Sequence, residues 1–222
     1  MHPVAYIHND FKEKFGIPRQ SGLVSNVSCI TFVHPYDDPA ALRGIEEFTH
    51  LWLLWDFSES HRETFSPTVR PPRLGGNTRV GVFATRSPFR PNSIGLSCVK
   101  LLGTETKGKD GPKLYVQGAD LMDGTPIYDI KPYLPYADCI PEAKTGILGE
   151  TPDKTEEVLF ENIGPAEVQA GELEVIQEIL SRNPPPAYQD DQERIYGMKY
   201  GRFEVKFRRV KGKIYVQSIE NL

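Results

Sequence analysis

Short runs of β-branched and aromatic residues, broken by glycine and proline, fill the first two-thirds of the chain. Each run is strand length and bounded by turn residues, which predicts strands over 4–7, 28–33, 50–57, 79–85, 93–102, 113–121 and 126–130. One helix is predicted over 39–48, with Asp38 as N-cap and Pro39 at the first position, where its missing N–H costs nothing. Many strands with one short helix predict a barrel-like sheet rather than a doubly wound one. No strand is followed by a GxGxxG turn, which excludes the usual dinucleotide fingerprint, so any cofactor is held in another way.

The pattern changes near 149–154, where the chain turns polar and acidic. Beyond it, Val168, Leu173, Val175, Ile176, Ile179 and Leu180 recur at helical spacing, which predicts an amphipathic helix over 166–181, stopped by Asn183-Pro184-Pro185-Pro186. Strands over 201–210 and 213–219, joined by a Lys211-Gly212 turn, predict a terminal hairpin. The chain is therefore divided into a β-rich domain over 1–150 and a small α+β domain over 151–222.

Apolar residues make up 39% of the 222 positions and charged residues 25%, as in ordinary soluble globular proteins. Cys29, Cys98 and Cys139 lie far apart, outside any CxxC or Cys/His cluster, which argues against zinc and for a reducing compartment. No signal-like N-terminus is present, and the longest apolar run, Leu51-Trp52-Leu53-Leu54-Trp55, is too short to span a bilayer, so a cytoplasmic location without membrane partners is expected. The net charge of −4 argues against a general nucleic-acid coating protein, but its distribution is uneven. Residues 64–100 hold six basic side chains and no acid, 150–193 hold twelve acids, and 202–213 hold six basics. Such blocks either build a local positive field or are simply solvated faces.

Four loops concentrate candidate chemistry. Arg70-Pro71-Pro72-Arg73-Leu74-Gly75-Gly76-Asn77 is stiff at one end and open to close backbone approach at the other. Residues 81–97 place Arg86 and Arg90 on a proline-bracketed turn, suited to a carboxylate or phosphate clamp and equally to a plain hairpin with solvated arginines. In the 123–136 segment Asp129, Lys131 and Tyr133 alternate, so an extended chain puts them on one face, as a site or as a proline-capped edge strand. Phe15-Gly16-Ile17-Pro18-Arg19-Gln20-Ser21-Gly22 is a fourth such loop, and His50 reads as a buried histidine rather than a base.

Together these motifs resemble the TrmO family (also TsaA or YaeB), strongly over about 4–140 and more weakly to the end through the 184–188 segment. The resemblance implies a mainly β protein, a single-sheeted β-barrel methyltransferase followed by a small α+β C-terminal domain that helps hold tRNA. It implies S-adenosylmethionine as methyl donor, tRNA carrying N6-threonylcarbamoyladenosine beside the anticodon as substrate, methylation on N6, and a homodimer with the cofactor near the interface. It carries cofactor contacts onto Pro18, Arg19, Gln20, Arg86, Arg90, Asp123, Gly124, Thr125 and Pro126, and onto Ser58 and Glu59 beyond the matched motifs. No metal is expected. Arg90-Pro91-Asn92-Ser93 departs from the family's Arg-Pro-Asn-Pro.

Methyl transfer to that nitrogen needs positioning and removal of its hydrogen. Asp129 and Tyr133 are the candidate bases, and Lys131 the partner for the threonyl carboxylate or a phosphate. Tyr128, Tyr133 and Tyr136 are available for stacking, and the 70–90 and 202–213 basic segments for phosphates. A non-catalytic RNA-binding module would bind RNA without donor, and a small-molecule methyltransferase would bind donor without tRNA dependence.

Overall fold

The computed structural model describes residues 1–71, 78–148, 155–161, 167–182 and 193–222. The chain opens with β1 (Ala5–His8), β2 (Val27–Phe32) and β3 (His50–Asp56). It then makes a ribbon of β4 (Thr68–Val69) and β5 (Val80–Gly81), and returns through β6 (Ile94–Glu105), β7 (Lys113–Gln117) and β8 (Pro126–Pro132). All but the ribbon close into a barrel in the order β1-β2-β7-β6-β3-β8, antiparallel throughout. Alternate residues point inward and pack the core. Ile7, Ile30, Leu51, Leu53, Val99, Leu114, Val116 and Ile127 are all buried, while His50, Trp52 and Leu54 face out from β3. The expected barrel is present.

Several predicted elements are shorter or broken. The predicted 39–48 helix is two 3-10 turns, Pro39–Leu42 and Ile45–Glu47. Asp38 does cap the first, accepting from the Ala40 amide at 2.8 Å. Gly44 between them is left-handed, at φ 84°, which no helix can propagate. The predicted 79–85 strand survives only as Val80–Gly81, because the chain turns into a 3-10 turn at Val82–Ala84 to bury Val82. The 113–121 strand stops at Gln117, because Gly118 adopts φ 85° to pass against the Gly22 backbone. In β8 the register slips opposite Leu54 and Trp55, so Tyr128 is the extra residue of a bulge.

After a short helix α1 (Pro135–Asp138), the second unit contains β9 (Glu157–Phe160), α2 (Ala170–Arg182), β10 (Ile195–Tyr200), β11 (Phe203–Val210) and β12 (Lys213–Asn221). Its sheet runs β10-β11-β12-β9, with β9 parallel to β12. Neither β9 nor β10 is legible as a strand in the sequence, and the predicted 201–210 strand begins only at Phe203, with Gly201 and Arg202 forming a turn. Helix α2 starts at Ala170 rather than 166, because the Glu172 carboxylate accepts from the Gln169 amide at 2.9 Å and caps the first turn there. Ile176, Ile179 and Leu180 cover the sheet. Lys211 and Gly212 both take positive φ, as a two-residue hairpin turn requires. The polar junction at 149–154 and the proline stop at 183–186 lie outside the described residues. Among the described residues no helix is long and apolar enough to cross a membrane.

The two units share a seam. Phe11 and Val24, from the β1–β2 connection, belong to the core of the second sheet. The Ser25 amide and hydroxyl both donate to Glu178, at 2.6 and 2.8 Å, and the Gly201 amide donates to the Asp10 carbonyl at 2.9 Å. The Lys199 amide donates to the Glu13 carboxylate at 3.1 Å.

Candidate active site

One end of the barrel opens into a cleft of about 1070 Å³. The end of β3 (Trp55, Asp56), the start of β6 (Ile94, Gly95, Leu96) and the β7–β8 connection (Asp120, Met122, Thr125) form its floor. One wall is the β1–β2 loop with Pro18, Arg19 and Gln20. The other is the 58–90 segment, which brings Ser58, Glu59, Arg62, Arg70, Arg79, Arg86 and Arg90 to the same space. With Lys14 and Arg19 this makes seven cationic side chains against the carboxylates of Asp56, Glu59 and Asp120. The cleft is cationic although the protein is not.

The walls are tied to each other. The Arg86 guanidinium donates to the Gln20 side-chain carbonyl, and the Lys14 ammonium donates to the Glu59 carbonyl at 2.6 Å. Arg90 instead holds its own turn, donating to the carbonyls of Thr85 at 2.8 Å and Val82 at 3.3 Å. The Thr125 hydroxyl donates to the Met122 carbonyl, 2.7 Å away.

A carboxylate occupies the floor. The Trp55 indole N–H donates to the Ser97 hydroxyl at 2.9 Å, and Ser97 donates to Asp120 at 2.5 Å. Burial pushes the Asp120 carboxyl up to about 6, against the opposing pull of Ser97, the Ser21 amide and the Arg86 charge. An acid in that range changes charge near neutral pH. Trp55 reaches this position because Gly95 stands opposite it in the β3–β6 register. A methyl group at Gly95 would fall inside the indole ring.

The remaining sequence candidates are elsewhere. Asp123, Gly124 and Pro126 do not line the cleft. Burial opposes the Asp123 charge, but the Lys12 ammonium at 2.7 Å and the Asn9 amide at 3.0 Å hold its carboxyl below the usual range, so it fastens the turn. Asp129 and Lys131 form an ion pair at 2.8 Å on the outer face of β8, and Tyr133 packs against Trp52 and His50 on the same side of the barrel. Alternation does put the three outside together, but none borders the cleft. Tyr128, displaced by the bulge, lies beside Asp56 at the end of β3. Burial and that carboxylate raise its phenol. His50 is exposed, not buried, beside the Thr49 hydroxyl. Arg73 and the Gly75-Gly76-Asn77 run lie outside the described residues.

The C-terminal cations are largely spent within their own sheet. Arg208 pairs with Glu161 at 3.1 Å, Arg209 grips Glu156 through two nitrogens, and Lys206 and Lys213 pair with Glu220 and Glu157. The acidic block at 150–193 and the basic block at 202–213 thus partly neutralise each other.

A closed antiparallel barrel with a cationic cleft at one end, and no nucleotide-binding βαβ unit among the described residues, defines a non-Rossmann barrel with a candidate ligand site. The family model described as tRNA-methyltransferase O N-terminal domain matches residues 6–139, and that described as TrmO C-terminal domain matches 158–222. The tRNA (adenine(37)-N6)-methyltransferase of Escherichia coli is 41% identical over 218 residues, covering 92% of this chain and 91% of that protein. A Pseudomonas aeruginosa protein described as a putative S-adenosylmethionine-dependent methyltransferase is 41% identical over 90% of this chain and 86% of its own. A crystal structure of TrmO from Pseudomonas aeruginosa superposes with TM-score 0.79 at 32% identity, covering 100% of this chain and 99% of that one. The chain belongs to the TrmO family.

Asp120, Trp55 and Ser97 were not legible as site residues. The available signal was an acid inside an otherwise strand-like stretch, Tyr115-Val116-Gln117-Gly118-Ala119-Asp120-Leu121. A buried-looking acid needs a reason, and here the reason is the cleft floor.

Proposed function

We infer that this chain is an S-adenosylmethionine-dependent methyltransferase that modifies N6 of adenine 37 in tRNA, as the names of its relatives describe. The observation that carries the reading is the convergence of two separate motif loops, 18–20 and 86–90, on one cationic cleft large enough for a donor and part of an acceptor. The residues fit the donor. Arg19 and Arg86 suit a methionyl carboxylate, Asp120 and Glu59 an ammonium, and Trp55, Leu96 and Met122 an adenosine. When bound, the donor supplies an electrophilic methyl carbon. The protein supplies orientation and exclusion of water.

The finer reading extends this. The acceptor is N6-threonylcarbamoyladenosine, the working form is a cytoplasmic homodimer, residues 1–150 form the donor-binding catalytic domain and residues 151–222 contribute to tRNA contact. Leu96, exposed at the cleft edge, stands opposite Leu54, and Leu54 stands opposite Asp129, so an apolar pair on the outer face joins the cleft edge to Asp129 and suits a second copy. Asp129 and Tyr133 remain the proposed bases, with Lys131 the partner for an acceptor anion. Because they face out of their own barrel, such a pairing is how they would meet a cleft.

Asp129→Asn tests that assignment cleanly. Its partner Lys131 is exposed, and exposed ion pairs contribute at most about 1 kcal/mol. The expected result is an unchanged melting temperature, a lower kcat by roughly 10²-fold or more, and unchanged tRNA affinity. Lost binding with intact single-turnover chemistry would remove Asp129 from the role of base.

The whole reading is tested by nucleoside mass spectrometry of tRNA carrying threonylcarbamoyladenosine after incubation with protein and S-adenosylmethionine. Gain of one methyl on that nucleoside, and none where the carbamoyl group is absent, is the expected outcome. Donor binding without methylation would point to another acceptor. No donor binding would overturn the methyltransferase reading.

A further inference from the structure

The 61–92 arm, which carries the ribbon β4–β5 along the cleft, displays three phenylalanines to solvent. Phe83 is 75% exposed, Phe65 58% and Phe89 38%. Exposure of Phe83 follows from its neighbour. Val82 plugs the core, so the adjacent ring in the same 3-10 turn is turned outward. The Val82 amide donates to the Pro67 carbonyl at 3.0 Å, which ties the Phe65 end of the arm to the Phe83 turn.

Two of these rings are backed by guanidinium groups. Arg62 sits 3.5 Å over the Phe89 ring, and Arg90 sits 5.9 Å from the Phe83 ring, its orientation fixed by the two carbonyls it holds. The surroundings are mostly basic, since the described part of the arm holds Arg62, Arg70, Arg79, Arg86 and Arg90 against one carboxylate, Glu63. Apolar rings interleaved with five arginines against a single carboxylate suit a partner with flat π faces and a negatively charged backbone. Single-stranded nucleic acid has both.

We propose that Phe65 and Phe83, with the Arg62–Phe89 pair at the cleft rim, form a stacking platform for unpaired bases of an RNA loop, so that the barrel's own arm grips the substrate loop. This rests on the RNA-modifying reading for the identity of the nucleic acid. It assigns loop recognition to the arm, whereas the C-terminal cations are engaged with glutamates of their own sheet.

The test is fluorescence anisotropy with a labelled, unmodified anticodon stem-loop RNA and the full chain. The Phe65→Ala/Phe83→Ala double variant is expected to bind roughly tenfold or more weakly, since each stacked base is worth about 5- to 150-fold. Its S-adenosylmethionine affinity by calorimetry should be unchanged, because neither ring lines the cleft. Phe83→Trp should retain binding. The salt dependence of the double variant should keep its slope, whereas Arg79→Gln should flatten it by about one. RNA affinity unchanged in the double variant overturns the platform and leaves the functional reading intact. A change in its mass by sedimentation would make this face a contact between copies and also overturn it. Failure of the parent chain to bind RNA would remove the functional reading as well.

Discussion

Gly95→Ala is expected to destabilise the protein by about 1–3 kcal/mol, the usual cost of overpacking a closed core, and to abolish high-affinity binding of the methyl donor. The added methyl falls inside the Trp55 indole. The indole cannot step aside cheaply. Its N–H is held by Ser97 at 2.9 Å, and Phe57 closes the space with ring centroids 4.2 Å apart. Displacing Trp55 therefore breaks the Trp55–Ser97–Asp120 chain at its first link and rebuilds the cleft floor. For a chain of this length each kcal/mol moves the melting temperature by about 2–4 °C. Thermal denaturation and calorimetric titration with S-adenosylmethionine read the two effects. A variant that melts with the parent and binds donor equally well would show that Trp55 is not locked in this orientation.

Asp120→Asn is expected to separate stability from activity. The Asp120 carboxyl is raised by burial in the fold to about 6, from an ordinary value of 3.8. The folded state therefore holds that proton more tightly than the unfolded chain. Its contribution is complete below the unfolded value and is lost as pH rises through about 6. Each unit corresponds to about 1.36 kcal/mol, so the loss is on the order of 2–3 kcal/mol once water in the cleft is allowed for. Asparagine keeps the neutral shape and escapes the loss. Relative to the parent, the variant should gain stability as pH rises from about 4 to 7, read as a widening gap between their melting temperatures. Activity should move the other way. The carboxylate accepts from Ser97 and faces the Arg86 charge, and hydrogen bonds to charged groups contribute about 1.5–3 kcal/mol. A fall in kcat/KM of roughly tenfold to a hundredfold follows. A gap that is flat with pH would mean that Asp120 does not titrate in the fold over this range.

The barrel was readable because its strands are short, β-branched and punctuated, and because alternation survives at nearly every inward position from Leu51 to Val99. What resisted reading was set by tertiary context. Val82 buries itself by leaving the strand, Gly44 breaks an otherwise helical run, and β9 finds its place only by pairing in parallel with β12, some fifty residues on. The cleft shows the same division. Pro18, Arg19, Gln20, Ser58, Glu59, Arg86, Arg90 and Thr125 meet there, whereas Asp123 spends its charge on Lys12 and Asn9, and Asp129 with Lys131 faces outward. Period-two alternation tells which residues share a face, not which face borders the ligand. Asp120 showed only as an acid in a strand-like stretch, and its place in the site emerges once its neighbours, Ser97 and Trp55, are known.

The connection between β1 and β2 is held from both sides: Phe11 and Val24 sit in the C-terminal core, while Pro18 to Gln20 wall the cleft. The C-terminal half has no complete hydrophobic interior without that segment, and the segment is anchored in the chain between two barrel strands. Heat should therefore dismantle barrel and C-terminal sheet in one cooperative step rather than two. Any ligand that orders the 18–20 wall lends its binding free energy to a sheet it never touches. The C-terminal unit is, in this sense, part of the thermodynamics of the cleft.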